Sequence, residues 1–587
     1  MTLAPLLLAC VVAAPAEPAA APSTDAAPPR PNVVIVMADD MGFSDPGCYG
    51  GEIRTPHLDG LAENGVRFSR FYNTGRCCPT RASLLSGHYP HAAGMGWMTG
   101  ERDLPGYAGS LRKDRPTIAE LLKPAGYRTY MSGKWHVSPH MSPRGPKDNW
   151  PIARGFDRYY GTISGGGDYW DPVSLVRDEQ PISPFADPLR PAEFKADGSG
   201  FHFTDAIADE AVRFVSDHAK QHADDPFLLY VAFTSPHWPL HAPPELIDSY
   251  DGAYDGGFPQ ARQARLAKQK ASGLLPEDTG LAPMPRPWSQ VPEGEREWEQ
   301  ACMATHAAMV TQMDAGIGRL LDELERTGVA ENTVVMFLSD NGASAEPMGR
   351  NGEFTPRPDA PTGEPMPPEA VRPRRSYLTR EGYPLRRGVN VMPGPPDTFI
   401  TFGESWANVS NTPFRRYKMS SHEGGIATPL IVRWPAGTPD ELRGGFVRDR
   451  SHLIDLTPTL LELSGADYPA EYGGGSTKPL PGRSLAPDLR GDMQIAVLDE
   501  RPLFWEHQGN RAVNRPDGEG NWKLVAENGG PWELYDLSED RIESNDLSAE
   551  MPERVAALSA LWDEWAAAND VLPLGGWRGK PKPRRNR

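Results

Sequence analysis

The chain has 587 residues, of which 39% are hydrophobic and 24% charged, with a formal net charge of −18. That length suits one large domain with appendages or two domains, and the acidic balance offers no electrostatic footprint for nucleic acid. The five cysteines, Cys10, Cys48, Cys77, Cys78 and Cys302, are too few and too scattered for a disulfide framework, and no pairing follows from them.

Residues 1–30 read as an export leader and linker, because the apolar stretch Leu3 to Ala14 is followed by an Ala/Pro tract without helical or strand periodicity. Leu7-Leu8-Ala9-Cys10 resembles a bacterial lipobox, which would put a lipid anchor on Cys10 and the protein in the periplasm or outside the cell. No later segment approaches eighteen consecutive apolar residues, so no transmembrane segment is expected.

The first buried strand is expected over Val33 to Met37, running into Asp39-Asp40. Thr55-Pro56 then opens a helix that groups Leu58, Leu61 and Ala62 and closes at Asn64-Gly65. The run Cys77-Cys78-Pro79-Thr80-Arg81 to Gly87 predicts a short amphipathic helix with Pro79 in its first turn and Gly87 at its far end. Cys77 would sit at the positive pole of that helix, with the Arg81 guanidinium pointing back toward it. A strand from Tyr127 to Ser132 runs into Gly133-Lys134-Trp135-His136. Thr204 opens a helix carrying Ile207, Ala211, Phe214 and Val215, and the strand Phe227 to Phe233 leads into Thr234-Ser235-Pro236-His237. A helix through Met313, Ile317, Leu320 and Leu324 precedes the strand Thr333 to Leu338, which ends in Asp340-Asn341-Gly342. From Ala343 to about Pro396 the sequence is rich in Pro, Arg and Gly without periodicity, the mark of a long surface insertion. From about residue 491, three short strand candidates (Leu503-Phe504-Trp505, Trp522 to Val525, Trp532 to Tyr535) precede a helix with Val555, Leu558, Leu561, Trp562 and Trp565. The organisation expected is therefore a leader over 1–30, a catalytic domain over 31–490, a small α+β unit over 491–576 and a solvated basic tail over 577–587. No internal repeat is present. Alternation of continuous apolar strands with amphipathic helices predicts an α/β fold whose sheet is mostly parallel and covered on both faces.

In such sheets ligands bind beyond the carboxyl ends of the strands, and four of the strands expected here end in residues able to handle an anion or a metal. Taken singly each has a plain structural reading: Asp-Asp caps a turn, Asp-Asn-Gly is a common tight turn, and one His after a strand is usually a hydrogen-bonded structural residue. Their joint occurrence at one end of one sheet is what points to a site. Asp39, Asp40, Asp340 and Asn341 together form a hard oxygen set suited to Ca²⁺ or Mg²⁺ and unsuited to zinc. Lys418 closes the basic run Phe414-Arg415-Arg416-Tyr417-Lys418, and such runs are ordinarily solvated surface.

The Cys77-x-Pro79-x-Arg81 spacing resembles the signature of type I sulfatases, the arylsulfatase branch of the alkaline phosphatase superfamily. Asn32 to Asp40, Gly133 to His136, Ser235 to His237, Ser339 to Gly342 and Lys418 to Gly425 extend the resemblance from about Pro31 to Trp565. It implies an alkaline phosphatase-like fold, a large mixed sheet sandwiched by helices with a smaller antiparallel sheet and one helix behind it. It implies that a formylglycine-generating enzyme oxidises Cys77 to formylglycine, with Pro79 and Arg81 as recognition elements. A metal, usually calcium with Mg²⁺ as the alternative, would sit on Asp39, Asp40, Asp340 and Asn341, with an oxygen of residue 77 as a further ligand. Sulfate contacts are implied for Arg81, Lys134, His237 and Lys418, and a formylglycine-directed role as base for His136. The activity implied is hydrolysis of a sulfate ester, aryl or carbohydrate. A formylglycine-dependent phosphonate monoester or phosphodiester hydrolase would use the same nucleophile and metal, and a sulfated-glycan-binding protein with a silent site is the non-enzymatic alternative. The loops expected to line the pocket, near Tyr169-Trp170, over 343–410 and at Glu506-His507, carry no transferable substrate code.

Overall fold

Runs of Val, Ile, Leu and Phe with no polar alternation have no face to offer to water, so they form strands that are covered on both sides. The computed structural model describes residues 30–578 apart from 143, 190–199, 353–355 and 493–498, so the leader, Cys10 and the basic tail lie outside the described residues. Ten strands form one sheet: β1 (Asn32–Ala38), β2 (Val66–Phe68), β3 (Arg128–Gly133), β4 (Arg158–Thr162), β5 (Leu175–Arg177), β6 (Gln180–Pro181), β7 (Phe227–Ala232), β8 (Thr333–Ser339), β9 (Leu430–Arg433) and β10 (Phe446–Val447). Their order is β10-β2-β9-β8-β1-β7-β3-β4-β5-β6. The middle five, β8-β1-β7-β3-β4, are parallel, while β9 runs against both neighbours and β4-β5-β6 close the far edge as an antiparallel meander.

The period-two geometry of a strand sends alternate residues of β1 into two separate layers. Val34 and Val36, with Leu229 and Val231 of β7, face one core built with helices α1 (Pro56–Glu63), α3 (Phe203–Gln221) and α4 (Glu293–Arg326). Val33, Ile35 and Met37, with Leu228 and Tyr230, face the other, built with α2 (Cys77–Ser86) and α5 (Leu456–Ser464). Asp314 of α4 accepts the free backbone N–H groups of His57 and Leu58 at the start of α1, so one helix caps another.

Three local expectations are corrected. Helix α2 is not amphipathic: all ten of its residues are buried, with Gly87 left-handed at its C-cap. Helix α4 starts twenty residues before Met313, because buried polar residues such as Glu299, Thr305, His306 and Gln312 blunt its apolar period. The second sheet, β11 (Leu503–His507), β12 (Asn510–Asp517), β13 (Gly520–Ala526) and β14 (Glu533–Asp536), contains a strand that its Asn-Arg and Pro516 content concealed. That antiparallel sheet lies between two cores. Trp505, Ala512 and Val525 join the first core of the large sheet, while Phe504, Val513 and Leu524 pack on Trp562 and Trp565 of α6 (Pro552–Ala568).

Residues 343–402 form no helix or strand among the described residues. Buried ion pairs hold the segment instead, with Arg372 and Arg380 both on Asp171. Cys48, Cys77, Cys78 and Cys302 are free thiols, and among the described residues no helix is long and apolar enough to cross a membrane.

Candidate active site

Parallel neighbours β8, β1, β7 and β3 end side by side, so the segments that follow them converge on one point beyond the sheet. From β1 come Asp39 and Asp40, from β3 Lys134 and His136, from β7 His237, and from β8 Asp340 and Asn341. Cys77, the first residue of α2, enters from the helix layer, and Lys418 from the loop before β9. Asp40 and His136 hold positive φ angles of 68° and 58°, backbone conformations that non-glycine residues adopt at some energetic cost.

Every carboxylate of the cluster carries a cation. Lys134 Nζ donates to Asp39 Oδ2 at 2.5 Å, Arg81 Nη2 to Asp340 Oδ2 at 2.8 Å, and Lys418 Nζ to Asp40 Oδ2 at 2.8 Å. The pairs are linked by the Asn341 side-chain amide, which donates to Asp40 Oδ1 at 2.7 Å, and by the Asp40 backbone N–H, which donates to Asp340 Oδ1 at 3.2 Å. His237 Nε2 stands 3.6 Å from Asp40 Oδ2, and its Nδ1 is 2.6 Å from the Trp238 carbonyl oxygen, which fixes the proton there.

Electrostatics differ across the cluster. Burial pushes Asp39 and Asp340 up against the pull of Lys134 and Arg81. Burial also acts on Asp40, but Lys418 and His237 outweigh it and leave that carboxyl below its ordinary value. The Cys77 thiol is held well below the usual thiol range by a hydrogen bond from Cys78, with Lys134 and His136 adding to it against burial. Burial and the neighbouring Lys134 bring His136 down to about 4, so its ring is neutral at neutral pH. The charge on Lys418 is disfavoured by burial and restored by Asp40, which leaves its pKa raised.

The site opens into a cavity of about 500 Å³ lined by Cys77, His136, His237 and Lys418 together with residues from four loops. Arg81 and Lys134, expected to reach an anion, are fully buried and turned onto carboxylates, and they do not line this cavity. Lys418 is only 3% exposed, unlike Arg415, Arg416 and Tyr417 of its run, because Asp40 and Glu346 draw it inward. The loop after β4 contributes Ser164, Gly165 and Gly166, while Tyr169 and Trp170 turn away into the protein. Tyr169 donates its hydroxyl to the carbonyls of Thr234 and His237 and so braces the His237 turn. Glu506 and His507 are buried behind the wall, with Glu506 paired to His91 at 2.7 Å. Glu346, Arg374 and Arg375 line the cavity from the 343–410 segment expected there, though nothing in their local sequence singles them out, and Trp238 and Arg76 line it without having been anticipated.

Two oxygens in the cluster, Asp39 Oδ1 and Asn341 Oδ1, are buried without any hydrogen-bond donor. Unpartnered hard acceptors beside two carboxyls that burial pushes up fit a divalent cation, which would supply the missing positive charge.

Comparison with known proteins agrees with this geometry. The family model described as Sulfatase matches residues 31–466, and one described as N-sulphoglucosamine sulphohydrolase, C-terminal, matches residues 415–566. An uncharacterised sulfatase of Schizosaccharomyces pombe is 33% identical over 92% of this chain and 94% of its own length. An arylsulfatase of Klebsiella aerogenes is 32% identical over 78% of this chain and 91% of its own. The crystal structure of Ps i-CgsB in complex with k-i-k-neocarrahexaose superposes with a TM-score of 0.61 at 22% identity, over 93% of this chain and 98% of that one. With its ten-stranded mixed sheet, its strand-end cluster and these matches, the chain belongs to the sulfatase family: it is a sulfuric ester hydrolase of type I in the alkaline phosphatase superfamily.

Proposed function

We propose that the chain hydrolyses sulfate monoesters using residue 77, oxidised from Cys77 to formylglycine, as nucleophile, with a divalent cation held by Asp39, Asp40, Asp340 and Asn341. The observation that carries this reading is the convergence of three carboxylates, the unpartnered Asn341 amide oxygen, two histidines and Lys418 on Cys77 at the mouth of one cavity. Cys77 Sγ stands where the hydroxyls of hydrated formylglycine would lie. That hydrate would supply two hydroxyls on one carbon, one to attack sulfur and one to expel sulfate afterwards, and Ca²⁺ or Mg²⁺ would polarise a sulfate oxygen.

The chain's own residues do the rest. Neutral His136 places a ring nitrogen within 4.8 Å of the residue 77 sulfur and accepts the proton of residue 77. Lys418, kept charged by Asp40, faces the cavity and donates to the oxygen of the departing alcohol or phenol. The tie from His237 Nδ1 to Trp238 leaves Nε2 directed at the site, where it orients the ester. Arg81 and Lys134 hold Asp340 and Asp39 in place from behind. Export through residues 1–30 and maturation by a formylglycine-generating enzyme belong to the same reading, and the substrate is an aryl sulfate or a sulfated carbohydrate.

Peptide mass spectrometry of active protein should find formylglycine at position 77, and an aryl sulfate should be turned over faster than the matched aryl phosphodiester. Chelation should abolish turnover and lower the melting temperature, with Ca²⁺ or Mg²⁺ restoring both. Full activity in Cys77→Ala would refute the mechanism, and a higher kcat/KM for the phosphodiester would make the chain a phosphohydrolase.

A further inference from the structure

Cations around the cavity are not alike. Arg81, Lys134 and Lys418 each hold a carboxylate of the cluster, and Arg76 holds Glu346 at 3.3 Å. Arg374 and Arg375, on the segment between β8 and β9, line the same cavity and have no carboxylate partner among the described residues.

Arg375 is nonetheless fixed. Its guanidinium lies 4.7 Å from the Trp238 ring centre and 5.3 Å from that of Phe399, two rings set edge to face at 73°, and these contacts hold the cation in the corner between them. A Cβ at Gly166 would stand 3.3 Å from Arg375 Nη2 and 3.6 Å from His237 Cε1, so the guanidinium and the imidazole lie within about 7 Å of each other. Gly166 carries no side chain into that gap. The space between a fixed, unpaired cation and the reacting centre is bordered by Ile163, Val173 and Met348, a wall that accepts the face of a ring. A six-membered ring with substituents on two of its carbons bridges such a span.

We propose that Arg375, assisted by Arg374, is a specificity-determining group that pairs with a second anionic substituent, a carboxylate or a sulfate, on the alcohol portion of the substrate. The proposal rests on the sulfate ester hydrolase reading above and narrows its substrate class to esters whose leaving portion is itself an anion. A guanidinium held between two aromatic rings, with no ion pair of its own among the described residues and facing the cavity, offers forked donors suited to bidentate capture of an oxyanion. Left unpaired, the same group favours no neutral leaving portion.

The test compares kcat/KM for 4-nitrophenyl sulfate with that for the same phenyl sulfate bearing a ring carboxylate, and for a sugar monosulfate with that for the matching disulfate. The unmutated enzyme should prefer the anion-bearing member of at least one pair by about tenfold or more, and the pair that shows the preference identifies the group. Arg375→Gln should lower that preference by about tenfold, and Arg375→Lys should recover part of it. A binding arm works without turnover: the disulfated sugar and the carboxylated aryl sulfate should each be tried for the rise they give in melting temperature, with the rise lost in Arg375→Gln. Equal kcat/KM within both pairs, or equal preference and equal thermal shifts in the unmutated protein and Arg375→Gln, would overturn the proposal. Absence of turnover on every sulfate ester would instead sink the hydrolase reading, and the thermal shifts would still decide the role of Arg375.

Discussion

A missing methyl group decides whether His136 can stand beside residue 77. A Cβ at Gly165 would fall 1.8 Å from His136 Cε1 and 1.9 Å from Nε2, far inside contact distance. Gly165→Ala must therefore displace the imidazole, and a displacement of that size should cost kcat/KM about 100-fold or more, while overpacking lowers stability by only about 1–3 kcal/mol. Steady-state kinetics and a melting curve on the same sample check this; an unimpaired Gly165→Ala would mean that the reaction does not use His136 where it stands. Asp39, Asp40, His136, His237 and Asp340 were legible in the sequence because they follow directly on strands, where position along the chain fixes position in space. Gly165, Glu346 and Arg375 were not, because their roles depend on what approaches them from elsewhere. Lys418 stood between these cases: its own run reads as surface, and the two carboxylates that bury it lie 378 and 72 residues away.

At the scale of elements, the second sheet is tied to the catalytic loop by buried charge. Lys523 of β13 lies 3.0 Å from Glu423 and 2.8 Å from Glu543, all three buried, and Glu423 opens the short helix that follows the Lys418 loop. Tyr72 donates to the same Glu423 at 3.1 Å from the large sheet's side. Lys523→Met would leave Glu543 buried without a cation and Glu423 with Arg541 alone, 3.3 Å away, and the loss of stability should be about 3–5 kcal/mol. Urea unfolding measures it, and adding Glu543→Gln to Lys523→Met should recover part of the loss; a double variant no better than the single would mean that packing, not charge, joins the sheets. This contact had no sequence signal. The strands β11, β13 and β14 announced themselves through Trp, Leu and Phe, whereas Lys523 and Glu423 are charged residues of the kind that composition assigns to the surface. The missed strand β12 has the same cause, since its polar residues are buried by the sheet on either side rather than by their own character.

Across the whole molecule, acid stability should depend on one carboxyl that joins three segments. Asp45, beyond β1, meets Arg265 at 2.7 Å and His306 of α4 at 3.1 Å in the interior. Burial alone would raise Asp45, but His306 and Arg265 outweigh it and bring the carboxyl from 3.8 to about 2. A depressed folded-state value means that the unfolded chain binds the proton more readily, so the contribution, about 2 kcal/mol, is complete above pH 4 and is lost as pH falls toward 2. Denaturant unfolding at a series of pH values should show that slope in the unmutated protein and a flatter one in Asp45→Asn; identical slopes would show that acid acts elsewhere. The complete burial of α2 has a consequence in time. With Cys77 only 2% exposed and every other residue of that helix buried, no second enzyme can grip the Cys77-Pro79-Arg81 segment once both layers of helices have closed on the sheet. Any oxidation of Cys77 must therefore be finished on a chain still open at this helix, and α5, part of the cover over α2, is made more than 350 residues later. If residue 77 is the formylglycine proposed above, the interval between synthesis of the cysteine and synthesis of its cover is the window in which the enzyme is armed, and a fast-folding host that lacks the oxidising partner would lock in an inert thiol for good.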